Sequence, residues 1–496
     1  MLHALLPVGE TAAPQGASPA SGAARGGHPA SAPALGVRNA EKDRYAQPSL
    51  ERGTSGGPEL KRGVMHLERL RLTDFRNYAA LDLALRPGLI VFQGRNAQGK
   101  SNVLEAVALL ATTRSFRTST ERETVRWGAA GHFARVDGTV ARRSDTLHVE
   151  IVIADATLVG AGDPGAVAAP APGVPLPMRK RIRVNGMPRR AMDLLGQMTV
   201  VVFTPRDLDL VAGEPGQRRR FLDLTLCQVR PPYCRALSQY QKVIAQRAAL
   251  LRRIRDGEES PHALTFWDEQ LAQLAAPIMR ERAAFLGQAE VAAARVYAVL
   301  ARDELRVDAA DEDETSASGG EPPEQVDRSH PPDLRLAYRP SYKGGLSVSE
   351  DELIATVLAQ LGELRRREIA QGANVLGPHR DDLAFLLQTP VGPVDLAVYG
   401  SRGQQRSVAL ALKLAELEYI EMETGDQPIL LLDDVLSELD AQRRADLLLA
   451  VRDLEQVLLT TTDLTTLPAE TLERAQVYDV RNGRLSRWAA RDSRSD

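Results

Sequence analysis

The stretch from Leu89 to Ser101 restricts the possible folds of this chain more than any other part of the sequence. Four apolar residues, Leu89–Phe92, predict a buried β-strand. The next residues read Gly94-Arg95-Asn96-Ala97-Gln98-Gly99-Lys100-Ser101, which is the pattern G-x-x-x-x-G-K-S, and a helical pattern follows directly. A strand and a helix joined by this pattern form a phosphate-binding loop. The sequence therefore predicts an α/β fold.

Each part of this loop suits the phosphates of a nucleotide. Gly94 and Gly99 let the backbone turn with its N–H groups pointing inward. Lys100 places a positive charge near the β- and γ-phosphates, and the Ser101 hydroxyl can bind Mg²⁺. The N-terminus of the helix also attracts anions. We therefore expect residues 94–101 to bind ATP and Mg²⁺, with a chance match that binds no nucleotide as the alternative.

A second predicted strand, Ile429–Leu432, ends in two carboxylates, Asp433 and Asp434. In a Walker B arrangement of this kind, Asp433 would hold Mg²⁺, and Asp434 would orient or deprotonate the attacking water. Aspartate is one methylene shorter than the glutamate common in ABC ATPases, so we expect slow hydrolysis. Lys100, Asp433 and Asp434 are the predicted catalytic residues. A buried strand that ends in a solvated acidic turn is the alternative.

A third motif precedes an apolar helix pattern at Val408–Leu414. Ser401-Arg402-Gly403-Gln404 resembles the ABC signature S-G-G-Q, in which a hydroxyl and free N–H groups at a helix N-terminus meet a phosphate. In ABC ATPases these groups contact the γ-phosphate held by the opposite subunit, so ATP joins two subunits. Ser401–Gln404 are therefore predicted ATP contacts, although a plain helix cap has the same pattern. Ser437–Asp440 fits the D-loop, and Thr462 or Asp463 stands where transporters have a switch histidine.

Composition limits the cellular setting more than the fold. The 496 residues include 62 Lys and Arg against 65 Asp and Glu, a net charge of −3, so any nucleic-acid surface must be local. Cys227 and Cys234 fit neither a metal site nor a disulfide scaffold, which favours a reducing compartment. The apolar runs are too short to span a membrane, and no secretory signal is evident. We expect a cytoplasmic protein without a membrane partner.

Changes of composition along the chain predict four regions. Residues 1–64 are rich in Ala, Pro, Gly and Ser and are predicted to be a disordered extension, so that the folded protein begins near Met65. Helical spacing of apolar residues then separates a head from an inserted arm. The regions are the first half of the head (65–210, with an insertion at about 154–178), an all-helical arm (211–370, with an acidic loop at about 308–333) and the second half of the head (371–496).

Basic residues cluster at several places, and aromatic residues make up only 4% of the chain. Several clusters on one face would follow the phosphates of a duplex, whereas the scarcity of aromatic residues disfavours stacking on single-stranded bases. A single run of arginines is more often a solvated surface, and that alternative stays open for each cluster. The clusters are Arg179–Arg181 with Arg183, Arg189-Arg190, Arg218–Arg220, Arg252-Arg253 with Arg255, and Arg365–Arg367.

From Met65 to about Arg487, the motifs together resemble one family of ABC and SMC-like ATPases, RecF. Residues 1–64 and the two low-complexity insertions depart from the family pattern, but none of them interrupts a motif. Besides the three motifs above, the matching segments are Asp74-Phe75-Arg76-Asn77-Tyr78, Leu104-Glu105-Ala106, Arg114–Arg117, Phe203–Leu208, Gly213–Pro215, Arg218–Asp223, Gly377–Asp382 and Leu431–Asp440.

This resemblance implies an ABC-type P-loop ATPase head, with mixed sheets and flanking helices, and an inserted all-helical arm. It implies a homodimer that forms on ATP binding, weak DNA-stimulated ATP hydrolysis, and binding to duplex DNA at single-strand gaps. It also implies cooperation with RecR and RecO in loading RecA, and a part in the SOS response. A different SMC/Rad50-like head with a structural or nuclease-associated role is the alternative, and a transporter ATPase is a third possibility.

The resemblance also suggests roles for single residues. Arg76 would approach the α- and β-phosphates from the adjoining strand, or else form a structural ion pair. Arg114 or Arg117 would enter the ATP site as an arginine-finger-like group. His379 is expected to have a structural hydrogen-bonding role. Thr204-Pro205 stands where related heads have the glutamine that couples the ATP site to the arm, so that residue is not assigned.

Overall fold

The computed structural model describes residues 65–155, 178–313, 333–389 and 392–488, with the backbone alone described over 302–313. The predicted N-terminal extension therefore lies outside the described residues. Most of the predicted insertion and of the predicted acidic loop also lie outside them. The predicted domain boundaries stay predictions.

Six strands form an antiparallel sheet in the order β2-β1-β4-β5-β6-β7. Apolar and polar residues alternate along them, so one face is buried while the other carries charged side chains. Ala154 and Asp155 still belong to β5, and Met178 already belongs to β6. The strands are β1 (His66–Phe75), β2 (Tyr78–Ala84), β4 (Phe133–Ala141), β5 (Thr146–Asp155), β6 (Met178–Val184) and β7 (Met187–Arg189).

A second sheet has the order β15-β14-β3-β13-β12-β8, and every neighbouring pair in it is parallel except β14 with β15. The carboxyl ends of β3, β13 and β12 therefore meet at one edge, where ligands bind in open α/β sheets. The strands are β3 (Gly88–Gln93), β8 (Val200–Phe203), β12 (Ile429–Asp433), β13 (Gln456–Thr461), β14 (Gln476–Arg481) and β15 (Arg484–Arg487).

Helix α1 (Lys100–Thr112) packs between the two sheets. Alternation along β3 explains the layering, because Ile90 and Phe92 join the core around α1, whereas Val91 joins the core on the opposite face. Helix α8 (Arg402–Thr424) contributes to that opposite face. The other head helices are short, namely α2 (Ala191–Leu194), α7 (Leu396–Tyr399), α9 (Ala441–Val451) and α10 (Ala469–Arg474).

The inserted segment is mainly helical, as the sequence predicts. It contains α3 (Pro215–Val229), α4 (Pro231–Arg255), α5 (Leu264–Asp313) and α6 (Glu350–Gln371). The structure adds one strand to it, β9 (Asp333–Arg339), which pairs with β10 (Asp382–Thr389) of the head. Leu334 and Leu336 are buried, whereas Asp333 and Arg335 are exposed, and this alternation fits a strand. A third strand, β11 (Gly392–Asp395), completes this sheet.

Helix α5 is the one helix in the described part of the chain whose length and composition would suit a membrane span. Its buried face contains Arg282, which forms an ion pair with Asp223, and Asp268, which forms one with Arg247. Buried charged residues paired within the arm fit a core helix. Cys227 and Cys234 are paired as a disulfide where α3 passes into α4, with their Cα atoms 4.7 Å apart. The expectation that these two cysteines form no disulfide is therefore wrong, because the turn between the helices, rather than the number of cysteines, brings them together.

Candidate nucleotide-binding site

The predicted phosphate loop runs from the end of β3 into the first turn of α1. Lys100 donates hydrogen bonds from Nζ to the carbonyl oxygens of Gly94 (2.6 Å) and Arg95 (3.2 Å). At Gly94 a Cβ atom would lie 2.4 Å from the carbonyl oxygen of Val480, and at Gly99, where φ is +115°, it would lie 2.6 Å from the Asn77 side chain. Both glycines are therefore required by close contacts as well as by backbone conformation.

The two predicted Walker B carboxylates lie at the same edge of the sheet. Asp433 is buried at the end of β12, and Asp434 follows it with a left-handed φ of 55°. Thr460, on the intervening strand β13, donates a hydrogen bond to Asp433 Oδ1 (3.0 Å) and accepts one from the Asp434 backbone N–H (2.8 Å). The next residue, Thr461, accepts a hydrogen bond from the Gly94 N–H (3.2 Å) through its carbonyl oxygen. Strand β13 thus connects the acids with the loop.

The site brings together one basic side chain, Lys100, and two acidic ones, Asp433 and Asp434. Burial lowers the pKa of Lys100, and the nearby carboxylates of Asp434 and Asp433 oppose that shift. Burial also raises the pKa of Asp434, and the charge of Asp433 adds to that rise while Lys100 opposes it. A carboxylate whose pKa is raised in this way is better suited to accept a proton. The oxygen atoms of Ser101 and Asp433 are the kind of ligand that Mg²⁺ prefers.

Residues that the sequence analysis did not assign hold the rim of the loop. Asn77 donates from Nδ2 to the carbonyl oxygen of Gln98 (2.8 Å) and accepts from Asn102 (2.8 Å). From the other side, the backbone N–H groups of Asn482 and Gly483 donate to Gln98 at 2.8 and 3.1 Å. These contacts fix the loop before any ligand enters. The asparagine in the Asp74–Tyr78 motif is the one sequence signal that could have indicated them.

Arg76 forms a structural ion pair in this structure. Its Nε and Nη2 donate to the two carboxylate oxygens of Glu105, at 2.8 and 2.5 Å, and its Nη1 donates to the Glu123 carbonyl oxygen at 2.7 Å. Glu105 is fully buried on α1. A contact between Arg76 and the phosphates stays a prediction. Arg114 and Arg117 are both exposed, and Arg117 donates to Asn102 Oδ1 of the same helix (2.5 Å).

The predicted signature motif lies at the N-terminus of α8. Ser401 accepts a hydrogen bond from the Gln404 N–H (3.1 Å), and the Gln404 side chain accepts one from the Ser401 N–H (2.9 Å). This capping box leaves Ser401 and Arg402 exposed. Arg406, one turn further, donates to the carbonyl oxygen of Glu438 in the predicted D-loop (2.7 Å). Among the described residues, no hydrogen bond or ion pair joins Ser401–Gln404 to the phosphate loop of the same chain.

His379 has the structural role that the sequence suggests. It shares a 2.6 Å hydrogen bond through Nδ1 with the Tyr240 hydroxyl, and its Nε2 lies 3.3 Å from the Asn374 carbonyl oxygen. Burial lowers the pKa of His379 to about 4, so the ring is neutral at pH 7. A neutral ring accepts from Tyr240 and donates to Asn374. The ring thereby connects two parts of the chain, the segment after α6 that leads back into the head and helix α4.

The arginine clusters differ in their surroundings. Arg218 is buried and donates to Asp382 (2.7 and 2.9 Å) and to three backbone carbonyl oxygens, while Arg219 and Arg220 donate to the carbonyls of Asp381 and Ser115. This cluster is structural. On β6, by contrast, Arg179 and Arg181 lie on the outer face of the sheet, and neither has an ion-pair partner among the described residues.

Comparison with known proteins identifies the family. None of the protein-family models compared with the chain matches it. The DNA replication and repair protein RecF of Chloroflexus aurantiacus is 41% identical over 431 residues, which cover 85% of this chain and 99% of that protein. RecF of Halalkalibacterium halodurans is 36% identical over 424 residues, covering 85% of this chain and 100% of that protein.

The chain belongs to the RecF family. Two solved structures of the recombination mediator protein RecF, described as RecF-ATPrS and RecF-ATP in the RecFOR pathway, have the same fold with a TM-score of 0.68. They are 27% and 28% identical to this chain and cover 86% of it, and this chain covers 99% and 98% of theirs. The predicted RecF resemblance and the predicted ABC-type head with an inserted helical arm are thereby confirmed.

Proposed function

We propose that this chain is an ATP-dependent DNA-binding protein of recombinational repair and replication. The observation that carries the proposal is the arrangement of Lys100 and the Walker B carboxylates of Asp433 and Asp434 around the loop Gly94–Ser101. A cation, two acids and a glycine-bounded loop at the N-terminus of a helix suit a magnesium-bound triphosphate. The ATP-containing structures of RecF relatives support ATP as the nucleotide.

The bound Mg²⁺ would neutralise charge on the β- and γ-phosphates, and Ser101 and Asp433 are the residues that would hold it. Lys100 binds the same phosphates as a point charge. Asp434 lies beside Lys100, and its raised pKa fits the acceptance of a proton from the attacking water. Its short side chain supports weak hydrolysis, which we propose is stimulated by DNA.

The signature at Ser401–Gln404 supports a homodimer that forms on ATP binding. Ser401 and Arg402 are exposed at the start of α8, the Ser401 hydroxyl and the Gln404 N–H bond to each other within the capping box, and no hydrogen bond or ion pair among the described residues joins the motif to the phosphate loop of its own chain. A second copy in head-to-tail orientation would bring Ser401, Arg402, Gly403 and Gln404 to the γ-phosphate. ATP would then join the two copies, and hydrolysis would release them.

DNA is the proposed partner of this dimer, bound as duplex at single-strand gaps. The outer face of the antiparallel sheet carries Arg179 and Arg181 without ion-pair partners among the described residues, which supports contact with phosphates. RecR, together with RecO, would use the complex to load RecA, with a contribution to the SOS response in the cytoplasm. The family name and the RecFOR pathway of the solved relatives support these partners.

Analytical sedimentation with and without ATP and Mg²⁺ tests this function, with Asp434→Asn to block turnover. We expect monomers without ATP and dimers with it, and affinity for gapped duplex DNA that rises with ATP. Lys100→Met should abolish both effects. Ser401→Arg is a matched variant that keeps nucleotide binding but blocks the dimer. A monomer under every condition, or Lys100→Met behaving like wild type, would refute the proposal.

A further inference from the structure

Thr460 lies on the central strand of the nucleotide site. Strand β13 runs between β3, which leads into the phosphate loop, and β12, which ends in the Walker B carboxylates. The residues directly before Thr460, Val457–Leu459, are apolar, and Thr460 itself is fully buried. A hydroxyl buried in such a place costs free energy unless it is hydrogen-bonded. Its hydrogen-bond partners therefore indicate its role.

The Thr460 hydroxyl contacts both acids at once. The parallel pairing of β12 with β13 sets Thr460 beside Asp433, and the hydroxyl donates to Asp433 Oδ1 at 3.0 Å. The backbone N–H of Asp434 donates to the Thr460 hydroxyl oxygen at 2.8 Å. An ionised carboxylate only accepts and an N–H only donates, so the direction of both hydrogen bonds is fixed. A hydroxyl can make both because it has one proton and two lone pairs.

For Asp433, this contact decides which carboxylate oxygen is available to a metal ion. Among the residues that the structure describes, Thr460 is the one hydrogen-bond donor to the Asp433 carboxylate. Because Oδ1 is bonded to Thr460, Oδ2 is the oxygen left for Mg²⁺. Hydrogen bonds of this kind orient the carboxylates that bind metals, and their loss typically costs about 10–100-fold in metal affinity or activity.

For Asp434, the same contact holds an unusual backbone conformation. Asp434 has a φ of 55° and a ψ of 25°, in the left-handed region that residues other than glycine rarely adopt. Thr460 accepts from its N–H, and the Ser437 hydroxyl donates to its carbonyl oxygen at 2.7 Å, so both neighbouring peptide groups are held. Such a conformation persists only where the surroundings impose it. The turn keeps the Asp434 carboxylate close enough to Lys100 for their charges to interact.

We propose that Thr460 is a positioning residue of this ATPase, whose hydroxyl directs Asp433 Oδ2 toward Mg²⁺ and holds Asp434 beside the γ-phosphate. The proposal rests on the proposed function, because it takes the roles of the two acids from it. Thr460 acts through these acids rather than on the nucleotide. One hydroxyl thus supports both the metal ligand and the proton acceptor, so both should be impaired together when it is removed.

Substitutions of similar shape separate the hydroxyl from the volume of the side chain. Thr460→Val keeps the volume and the branching but can neither donate nor accept, whereas Thr460→Ser keeps the hydroxyl. Thr199→Val is the matched control, because Thr199 is buried directly before β8 and its hydroxyl has no hydrogen-bond partner among the described residues. Thr460→Cys differs from Thr460→Ser only in sulfur, a weak donor, so this pair tests the proposal even if Thr460→Val does not fold.

Steady-state ATP hydrolysis by the full chain, over a range of Mg²⁺ concentrations, is the first measurement. Thr460→Val should lower kcat at saturating ATP and Mg²⁺ about tenfold, and it should raise the Mg²⁺ concentration for half-maximal rate about tenfold. Thr460→Cys should be impaired in the same two respects. Thr460→Ser and Thr199→Val should behave like wild type.

Calorimetric titration with ATP gives a second measurement that does not depend on turnover. In EDTA, Thr460→Val should bind ATP as wild type does, because Lys100 and the phosphate loop are intact. The gain in ATP affinity on adding Mg²⁺ should be about tenfold smaller than in wild type, because Asp433 is no longer oriented. Urea unfolding of the same variants shows whether stability has changed.

Wild-type kcat and Mg²⁺ dependence in Thr460→Val would overturn the proposal and leave the proposed function intact. Equal impairment of Thr460→Ser and Thr460→Val would also overturn it, because the hydroxyl would then not be the group that matters. The same holds if Thr460→Val loses ATP affinity in EDTA in proportion to a loss of stability, since Thr460 would then only maintain the fold. If the wild type neither binds nor hydrolyses ATP, the proposed function itself fails.

Discussion

Glu105→Gln is the substitution that decides what Arg76 does. Glu105 is fully buried on α1, and its carboxylate accepts from Arg76 Nε and Nη2 at 2.8 and 2.5 Å and from the Ser115 hydroxyl at 2.5 Å. Arg76 is 17% exposed, so little water is available to replace a lost partner. The amide of glutamine replaces one acceptor oxygen by an NH₂ group with two N–H donors, where three donors already converge, and it removes the negative charge.

Removing one partner of a buried ion pair costs ~3–5 kcal/mol, because the other charge stays buried without compensation. Arg76 keeps its bond to the Glu123 carbonyl oxygen, so we expect the lower end, about 3 kcal/mol. That loss reduces the ratio of folded to unfolded protein about 150-fold at ~1.4 kcal/mol per tenfold. In urea, the unfolding midpoint should fall while the slope stays unchanged.

The assay is equilibrium urea unfolding of wild type, Glu105→Gln, Arg76→Gln and the double variant, together with ATP titration. The cycle should give a coupling of about 3 kcal/mol, since each single change breaks the same pair. Glu363→Gln makes the same chemical change at an exposed position of α6 and should leave the midpoint unchanged. The reasoning is refuted if Glu105→Gln is as stable as wild type while Arg76→Gln alone weakens ATP binding, because Arg76 would then be a phosphate ligand.

Two further substitutions test the geometry. Gly99→Ala should weaken ATP binding and destabilise the fold by ~1–3 kcal/mol, because φ is +115° and the new Cβ would lie 2.6 Å from the Asn77 side chain. ATP titration measures the loss of binding, and urea unfolding measures the loss of stability. Gly287→Ala, whose new Cβ would meet open space, is the control. His379 has a folded pKa of about 4 against 6.5 unfolded, so it contributes stability that is complete above pH 6.5 and lost as the pH falls toward 4. His379→Gln should flatten the rise in unfolding midpoint between pH 5 and 7, and an unchanged slope would contradict this.

The phosphate loop could be predicted from the sequence because its information is local. A strand, the eight motif residues and a helical pattern stand together in the sequence, and the structure places the motif Gly94–Ser101 between the end of β3 and the first turn of α1. Ile429–Asp434 could be predicted for the same reason, because an apolar run that ends in two acids is a pattern of consecutive residues. Thr460 could not be assigned in the same way. It meets Asp433 from 27 residues further along, and only the parallel pairing of β12 with β13 brings them together.

The arginine clusters show the other limit of sequence patterns. Runs of arginine look alike in the sequence, but their environments in the structure differ. Arg218 is hydrogen-bonded to Asp382 and to three carbonyl oxygens, whereas Arg181 is exposed on β6. What separates them is the segment that packs beside each one, and these segments are distant in the chain. Strand β9 was missed for a related reason, since it directly follows the acidic stretch that predicted a loop.

Helix α8 connects the signature to the arm through a row of polar contacts. Its Glu416 accepts a hydrogen bond from Thr225 of α3 (2.6 Å), its Glu418 pairs with Arg295 of α5, and its Glu423 pairs with Arg230. Glu416 and Thr225 are buried, so this contact is costly to break.

Because one continuous helix joins Ser401 to these contacts, the arm should follow any displacement of the signature as a rigid body. In the proposed dimer, ATP closure at one end of α8 would therefore change the separation of the two arms.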